Sequence, residues 1–195
     1  MRELIFFSNN SNKTKEISNL FDKSFFKILS LKDFKKIKSP HETGNSFKKN
    51  AQIKSLFGLK KFNKTCFADD SGICIEALKN GPGIYSKEYL QNHKNYNLAL
   101  KEIIKVNKKK NNFNAFFQTT ICLSLDINKH LFFNGKVKGT ISKRLLGKGG
   151  FGYDPIFIPI GHNLTFAQMK IEEKNLYSHR SIAIKKLKNY LLSLI

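Results

Sequence analysis

Carboxylates are scarce in this chain, with fourteen acidic residues against thirty-five basic ones. Two of them adjoin in Phe67-Ala68-Asp69-Asp70-Ser71-Gly72, after an apolar run and before a glycine. Adjacent residues of an extended strand point to opposite sides, so at a strand end one carboxylate can bind a metal while the other anchors the loop. Asp-Ser-Gly is also favourable turn chemistry, and alone it proves nothing more. A second segment runs from Glu42 to Lys54. With Ser46 as N-cap of a helix, Phe47, Asn50 and Lys54 fall on one stripe. An amide and an ammonium beside a phenyl ring suit an inward face that meets something anionic and wet. A lysine snorkelling from a boundary helix gives the same pattern.

Three further segments carry chemistry. Ser8-Asn9-Asn10-Ser11-Asn12-Lys13 follows an apolar run and opens a helix, making an anion-binding corner with free backbone N–H groups facing outward. It has no glycine and is not a Walker A loop, and a plain helix cap is the competing reading. Gly147 to Pro155 reads Gly-Lys-Gly-Gly-Phe-Gly-Tyr-Asp-Pro. Its glycines allow close backbone approach to a ligand, and Phe151 and Tyr153 could stack on a base. A glycine-rich turn with core aromatics would not explain the Tyr-Asp-Pro ending. Finally, Glu172 to Arg180 leads into the last helix with Ser178 as a cap candidate. A cation at a helix start opposes the dipole, so Arg180 needs a carboxylate, a phosphate or a polarised carbonyl to justify its place.

The elements that must position these groups follow from periodicity. Leu4–Phe7, Phe25–Leu29, Thr65–Ala68 and Ile73–Leu78 read as strands, and Ala115–Leu125 with Leu131–Thr140 as a long antiparallel pair turning at Asp126–Asn128. Helices are expected over about Lys13–Phe21, from Ser46 onward, over Tyr89–Ile104 and over about Ser178–Leu194, with the Lys/Asn run Lys105–Asn114 as a solvated loop. Strands alternating with helices, then a hairpin, predict an α/β fold with a mixed, twisted sheet flanked by helices. At 195 residues the chain suits one domain, possible as two lobes sharing a core.

Composition narrows the function. The apolar run at the N-terminus is too short for a signal peptide or a membrane span, which predicts a cytoplasmic protein. Cys66, Cys74 and Cys122 form no CxxC pair and sit in apolar stretches, so buried free thiols are expected. The net charge of +21 invites a nucleic-acid partner. Yet only Arg2, Arg144 and Arg180 are arginines, and the bidentate fork favoured for base readout is nearly absent. The lysines run through the whole chain alongside many Asn, Ile and Phe, a pattern that genome-wide codon bias explains more simply than a binding patch. No specific nucleic acid and no membrane are expected.

Together, Ser8 to Lys13, Glu42 to Lys54, Ala68 to Gly72, Ala77 to Gly83, Gly149 to Pro155, Thr165 to Met169 and Glu173 to Arg180 resemble, in order, the motifs of the inosine triphosphate pyrophosphatase family of non-canonical purine NTP pyrophosphatases. The match spans nearly the whole chain. It implies two lobes with the active site in the cleft between them, a homodimer, and Mg²⁺-dependent hydrolysis of ITP, dITP or XTP to the monophosphate and pyrophosphate. It gives Asp70 the role of base, and Mg²⁺ to Glu42 and Asp70 with help from Asp69. Ser8, Asn9, Asn10, Ser11, Asn12, Lys13, Lys54 and Ser71 would hold the triphosphate. Phe151, Gly152, Tyr153, Asp154, Lys174, His179 and Arg180 would form the nucleoside pocket, where Arg180 and a protonated His179 could donate to the C6 carbonyl that inosine has and adenosine lacks. Departures are Gln168 for the usual acid, Glu76 for an Asp, Leu145 near a usual proline, and Glu88 for an arginine, with Lys87 as the compensating cation. A Maf-like pyrophosphatase of other base preference and a basic nucleic-acid-binding protein are the alternatives.

Overall fold

A computed structural model describes residues 2–21, 24–34 and 37–194. Among the described residues, seven strands, β1 (Arg2–Phe6), β2 (Phe26–Ser30), β3 (Cys66–Ile75), β4 (Gly81–Pro82), β5 (Asn114–Ser124), β6 (His130–Ile141) and β7 (Phe157–Pro159), form one sheet of order β2-β1-β3-β5-β6-β7, with β4 paired to β3. β1 runs parallel to both β2 and β3, whereas β4 is antiparallel to β3 and β7 to β6. The sheet is therefore mixed. The helices are α1 (Ser11–Leu20), α2 (Phe47–Phe62), α3 (Ser86–Gln91), α4 (Tyr96–Lys110), α5 (Ile171–Tyr177) and α6 (His179–Leu192). The chain is an α/β protein.

It divides into two compact units, and the division falls within β3, β5 and β6. The first comprises Met1–Asp70, Thr119–Gly135 and Arg180–Ile195. One of its two cores joins Leu4 and Phe6 of β1, Ile17 of α1, Phe67 of β3 and Ile121 and Leu123 of β5 to Ala183, Ile184, Leu187 and Leu191 of α6. Those α6 positions recur every three or four residues, the spacing of one helix face. The other gathers Ile5, Phe7, Leu31, Leu59, Cys66 and Ala68. Ser46 caps α2 by accepting from the Lys49 N–H, as the sequence predicts.

The second unit comprises Ser71–Gln118 and Lys136–His179. Its core places Leu100, Ile103 and Ile104 of α4 against Ile73 and Ile75 of β3, Phe117 of β5, Ile141 of β6, and Ile156, Phe157 and Phe166. All three cysteines are buried free thiols.

Three expectations about elements need correction. The two strands expected at 65–68 and 73–78 are one, since β3 runs without a break through Asp69-Asp70-Ser71-Gly72. Buried carboxylates tolerate mid-strand positions when cations face them, and here they do, as described below. Gly72 also permits close approach: a Cβ there would lie 2.0 Å from the Gly83 carbonyl oxygen. The helix expected over 89–104 is two, α3 and α4, separated where Asn95 turns extended and caps α4 through the Asn97 N–H. The Lys105–Asn114 segment is not a loop, because α4 continues to Lys110. Lysine is a good helix former, and Lys108–Lys110 at the C-terminus complement the dipole before Asn111 ends the helix in the left-handed region.

Candidate active site

Strand β3 sets the site's geometry. Asp69 and Asp70 are neighbours on an extended backbone and meet different partners, both sets within the first unit. Both acids are almost fully buried. A carboxylate so placed must be paired.

Asp70 faces α2. Its Oδ1 accepts from Lys54 Nζ at 3.3 Å and its Oδ2 from Asn50 Nδ2 at 3.2 Å. The Thr119 hydroxyl fixes its backbone by donating to the Asp70 carbonyl. The same Lys54 ammonium donates to Glu42 Oε2 at 2.8 Å. Glu42 lies just before α2 in chain order, and Asn50 Oδ1 accepts from the Gly44 N–H, tying that segment to the helix that carries Lys54. Ser46, which starts α2, thereby sets the phase of the Asn50–Lys54 stripe. The predicted inward amide and ammonium are both buried. Burial raises the Asp70 carboxyl above its ordinary value against the opposing pull of Lys54 and Lys13. Burial also opposes the charge on Lys54, but Asp70, Asp69 and Glu42 outweigh it and the ammonium is held more firmly than usual.

Asp69 faces α1 and the start of α6. Its Oδ2 pairs with Lys13 Nζ at 2.9 Å and lies 3.5 Å from Arg180 Nε. Arg180 also pairs with Glu16. Lys13 and Glu16 sit three apart on α1, hence on one face. The cation that the α6 dipole opposes is thus held by two carboxylates, one of the justifications considered for it. Burial lowers the Lys13 ammonium, and repulsion from Arg180 and Lys54 adds to it against the attraction of Asp69.

At the start of α1 the Asn10 side chain accepts from the N–H groups of Asn12 and Lys13, and the Ser8 hydroxyl from the Asn10 N–H. Those donors are engaged by local caps, not left free and outward, because an Asx side chain reaches them first. The Asn9 amide donates to the Ser39 hydroxyl.

In the second unit, Asp154 organises the glycine-rich loop. Its Oδ2 accepts from Lys174 Nζ at 2.6 Å and from the Phe151 N–H at 2.8 Å. Gly150 must be glycine here: its φ is +69°, and a Cβ would lie 2.1 Å from that same oxygen. Lys174 also stands over the Phe151 ring, 4.9 Å from its centroid. Tyr153 is a core residue whose hydroxyl donates to the Ser86 carbonyl, and the Tyr96 hydroxyl donates to the Gly152 carbonyl. His179 stacks on Phe117 with centroids 4.6 Å apart and rings 7° from parallel. Ser71 is half-buried beside Asp70, and Lys87 is exposed on α3. Asn50, Glu16 and Tyr96 were not among the predicted site residues. The α2 stripe already marked Asn50, and helical spacing from Lys13 could have marked Glu16, but no local signal distinguishes Tyr96.

Among the described residues no three His, Cys, Asp or Glu side chains converge as a self-sufficient metal cage. Glu42 and Asp70 nevertheless flank one spot of positive charge with hard oxygen donors. Mg²⁺ is characteristically held by one or two carboxylates with substrate phosphates completing the shell, and this pair fits that pattern.

Strand β3 of this α/β chain buries two carboxylates against lysines and an arginine. Comparison with known proteins is more specific: the model of the Ham1 family matches residues 4–190, and the chain belongs to that family. It is 42% identical to a dITP/XTP pyrophosphatase of Flavobacterium psychrophilum, over 95% of this chain and 96% of that one. It is 38% identical to the enzyme of the same name from Porphyromonas gingivalis, over 98% of each. Among solved structures, the Staphylococcus aureus Ham1 protein superimposes with a TM-score of 0.86 at 32% identity over the full length of both chains. A HAM1 protein from Coxiella burnetii reaches 0.89 at 31%, covering 99% of this chain and all of the other.

Proposed function

We propose that this chain is a Mg²⁺-dependent nucleoside triphosphate pyrophosphatase that converts ITP, dITP and XTP to the monophosphate and pyrophosphate, removing them from the nucleotide pool. The observation that carries the reading is the convergence of the Glu42 and Asp70 carboxylates on the Lys54 ammonium. Relatives named dITP/XTP pyrophosphatase support the substrate class.

Asp70 is the base. Burial raises its carboxyl above the ordinary value in the metal-free site, and its fixed carboxylate can accept a proton from water. Asn50 and Lys54 each hold one of its oxygens and fix its direction. A water that gives its proton to Asp70 attacks the α-phosphorus; the new P–O bond forms as the bond to the bridging oxygen breaks, and pyrophosphate leaves with the electron pair. Lys13 and Lys54 neutralise the leaving group, and Ser8, Asn9, Asn10, Ser11, Asn12, Ser71 and Lys87 contribute polar contacts to the triphosphate. Mg²⁺, held by Glu42 and Asp70, would screen the phosphate charge. Asp69 serves by orienting Lys13 and Arg180. Phe151 and Gly152 contact the nucleoside, with Tyr153, Asp154, Lys174 and His179 holding the loop that presents them. Arg180, committed to Glu16 and Asp69, is assigned a positioning role. A homodimer in the cytoplasm completes the proposal; among the described residues no helix is long and apolar enough to cross a membrane.

Product analysis tests the reaction class. Anion-exchange separation of an ITP digest should give IMP and pyrophosphate from the first time point. Accumulation of IDP with orthophosphate would place attack at the γ-phosphorus and defeat the proposal.

A further inference from the structure

A second cluster of cations lies entirely within the second unit and shares no residue with the site above. Lys101, Lys105 and Lys108 of α4, together with Lys143 and Arg144 just after β6, line a cavity of about 440 Å³ that is completed by Ile104 and Leu145. No acidic residue is among these seven. None of the five cations forms an ion pair among the described residues. Glu102, the acid in the same helix, is turned to His93 at 2.8 Å.

Two plain explanations cover part of this. The helix dipole accounts for Lys108 in the last turn of α4, and the lysine-rich composition accounts for lysines anywhere. Neither accounts for the arrangement. Lys101 and Lys105 are i,i+4 neighbours, a spacing at which like charges repel, and Lys143 and Arg144 add to them from a separate segment. Arg144 is one of only three arginines in the chain. Its backbone is fixed by the Ser142 hydroxyl, which accepts from the Arg144 N–H and donates to the Arg144 carbonyl. Lys143 is steadied over the Phe113 ring, 5.7 Å from its centroid.

We propose that this cavity is an anion site for a small oligophosphate, with Arg144 as the bidentate anchor and the α4 lysines as point charges along the phosphate chain. The guanidinium fork matches two phosphate oxygens, and ammonium groups suit the remainder. The volume is that of a small-ligand pocket and not of an extended nucleic-acid groove. Like charges without an acidic partner among the described residues, facing one hollow, concentrate multivalent anions there.

The test is amide NMR of the full chain titrated with sodium tripolyphosphate without Mg²⁺, at low and then physiological ionic strength. Saturable shifts at 101–108 and 143–145, surviving the higher salt, are expected alongside any at 8–13. The Lys105→Glu/Arg144→Glu variant changes two exposed side chains. It should weaken binding at 101–108 by at least about tenfold while ITP turnover stays within about twofold, because neither residue belongs to the reaction site. Non-saturating shifts spread over lysines generally would mean a basic surface only and overturn the proposal. Tighter binding of single-stranded oligo(dT) than of tripolyphosphate at these residues would also overturn it. The wild-type titration decides the matter even if the double variant fails to fold, and a positive result here with failed ITP hydrolysis would leave the oligophosphate site standing.

Discussion

Lys54→Met removes the ammonium on which Glu42 and Asp70 converge while keeping most of the aliphatic stem. Breaking a buried ion pair from one side costs roughly 3–5 kcal/mol, because the remaining charge stays buried without compensation. The lower end applies here. The Glu42 side chain is 35% exposed and can turn to water, whereas the Asp70 side chain, 9% exposed, cannot. Asn50 still satisfies one Asp70 oxygen. We therefore expect a loss of about 3 kcal/mol, equivalent in a chain of this size to a fall in Tm of roughly 6–12 °C. Differential scanning fluorimetry in EDTA, checked by urea denaturation, measures it. Mg²⁺ should then raise the Tm of Lys54→Met more than that of the wild type, since the two carboxylates no longer have a competing ammonium. A variant melting within a degree of wild type, with no larger response to Mg²⁺, would refute the view that this lysine compensates the pair.

Three other outcomes follow from the same geometry. Asp70→Asn should fold but lose turnover by about 10²–10⁴, the worth of a general base; near-wild-type kcat in a folded variant would remove Asp70 from that role. Arg180→Lys should lower kcat/KM for ITP and ATP by the same factor, since the guanidinium is engaged with Glu16 and Asp69; a selective loss for ITP would make Arg180 a base reader after all. His93, bonded first to Glu102 and then to the Tyr89 carbonyl, is raised above its ordinary value of 6.5. Its stabilising contact is therefore complete below that value and lost as pH rises through the folded-state midpoint. NMR titration should find the midpoint above 6.5 and see it fall in Glu102→Gln.

How much of this the sequence carried depends on the range of each interaction. The α2 stripe was legible because a cap and a helical period fix which side chains share a face, and Asn50 and Lys54 are both buried on that face. The α/β class and the hairpin were legible from alternation alone. The continuity of β3 was not: polar Asp-Asp-Ser-Gly reads as a turn unless one knows that Lys13, Lys54 and Arg180, distant in sequence, arrive to compensate it. The length of α4 was misread because a Lys/Asn run looks solvated, which it is, while remaining helical. Tyr96 and the Lys143–Arg144 contribution to the cationic cavity depend on α4 meeting segments distant in sequence, which no local pattern encodes.

Base and metal dependence are read together from kcat/KM for pyrophosphate release across ITP, XTP, dITP, ATP and GTP, with Mg²⁺ and with EDTA. The proposed function predicts turnover only with the metal, and preference for ITP, dITP and XTP over ATP. The margin over GTP should be smaller, because guanine shares the C6 carbonyl. Equal turnover of ATP and ITP, or release undiminished by EDTA, would contradict it.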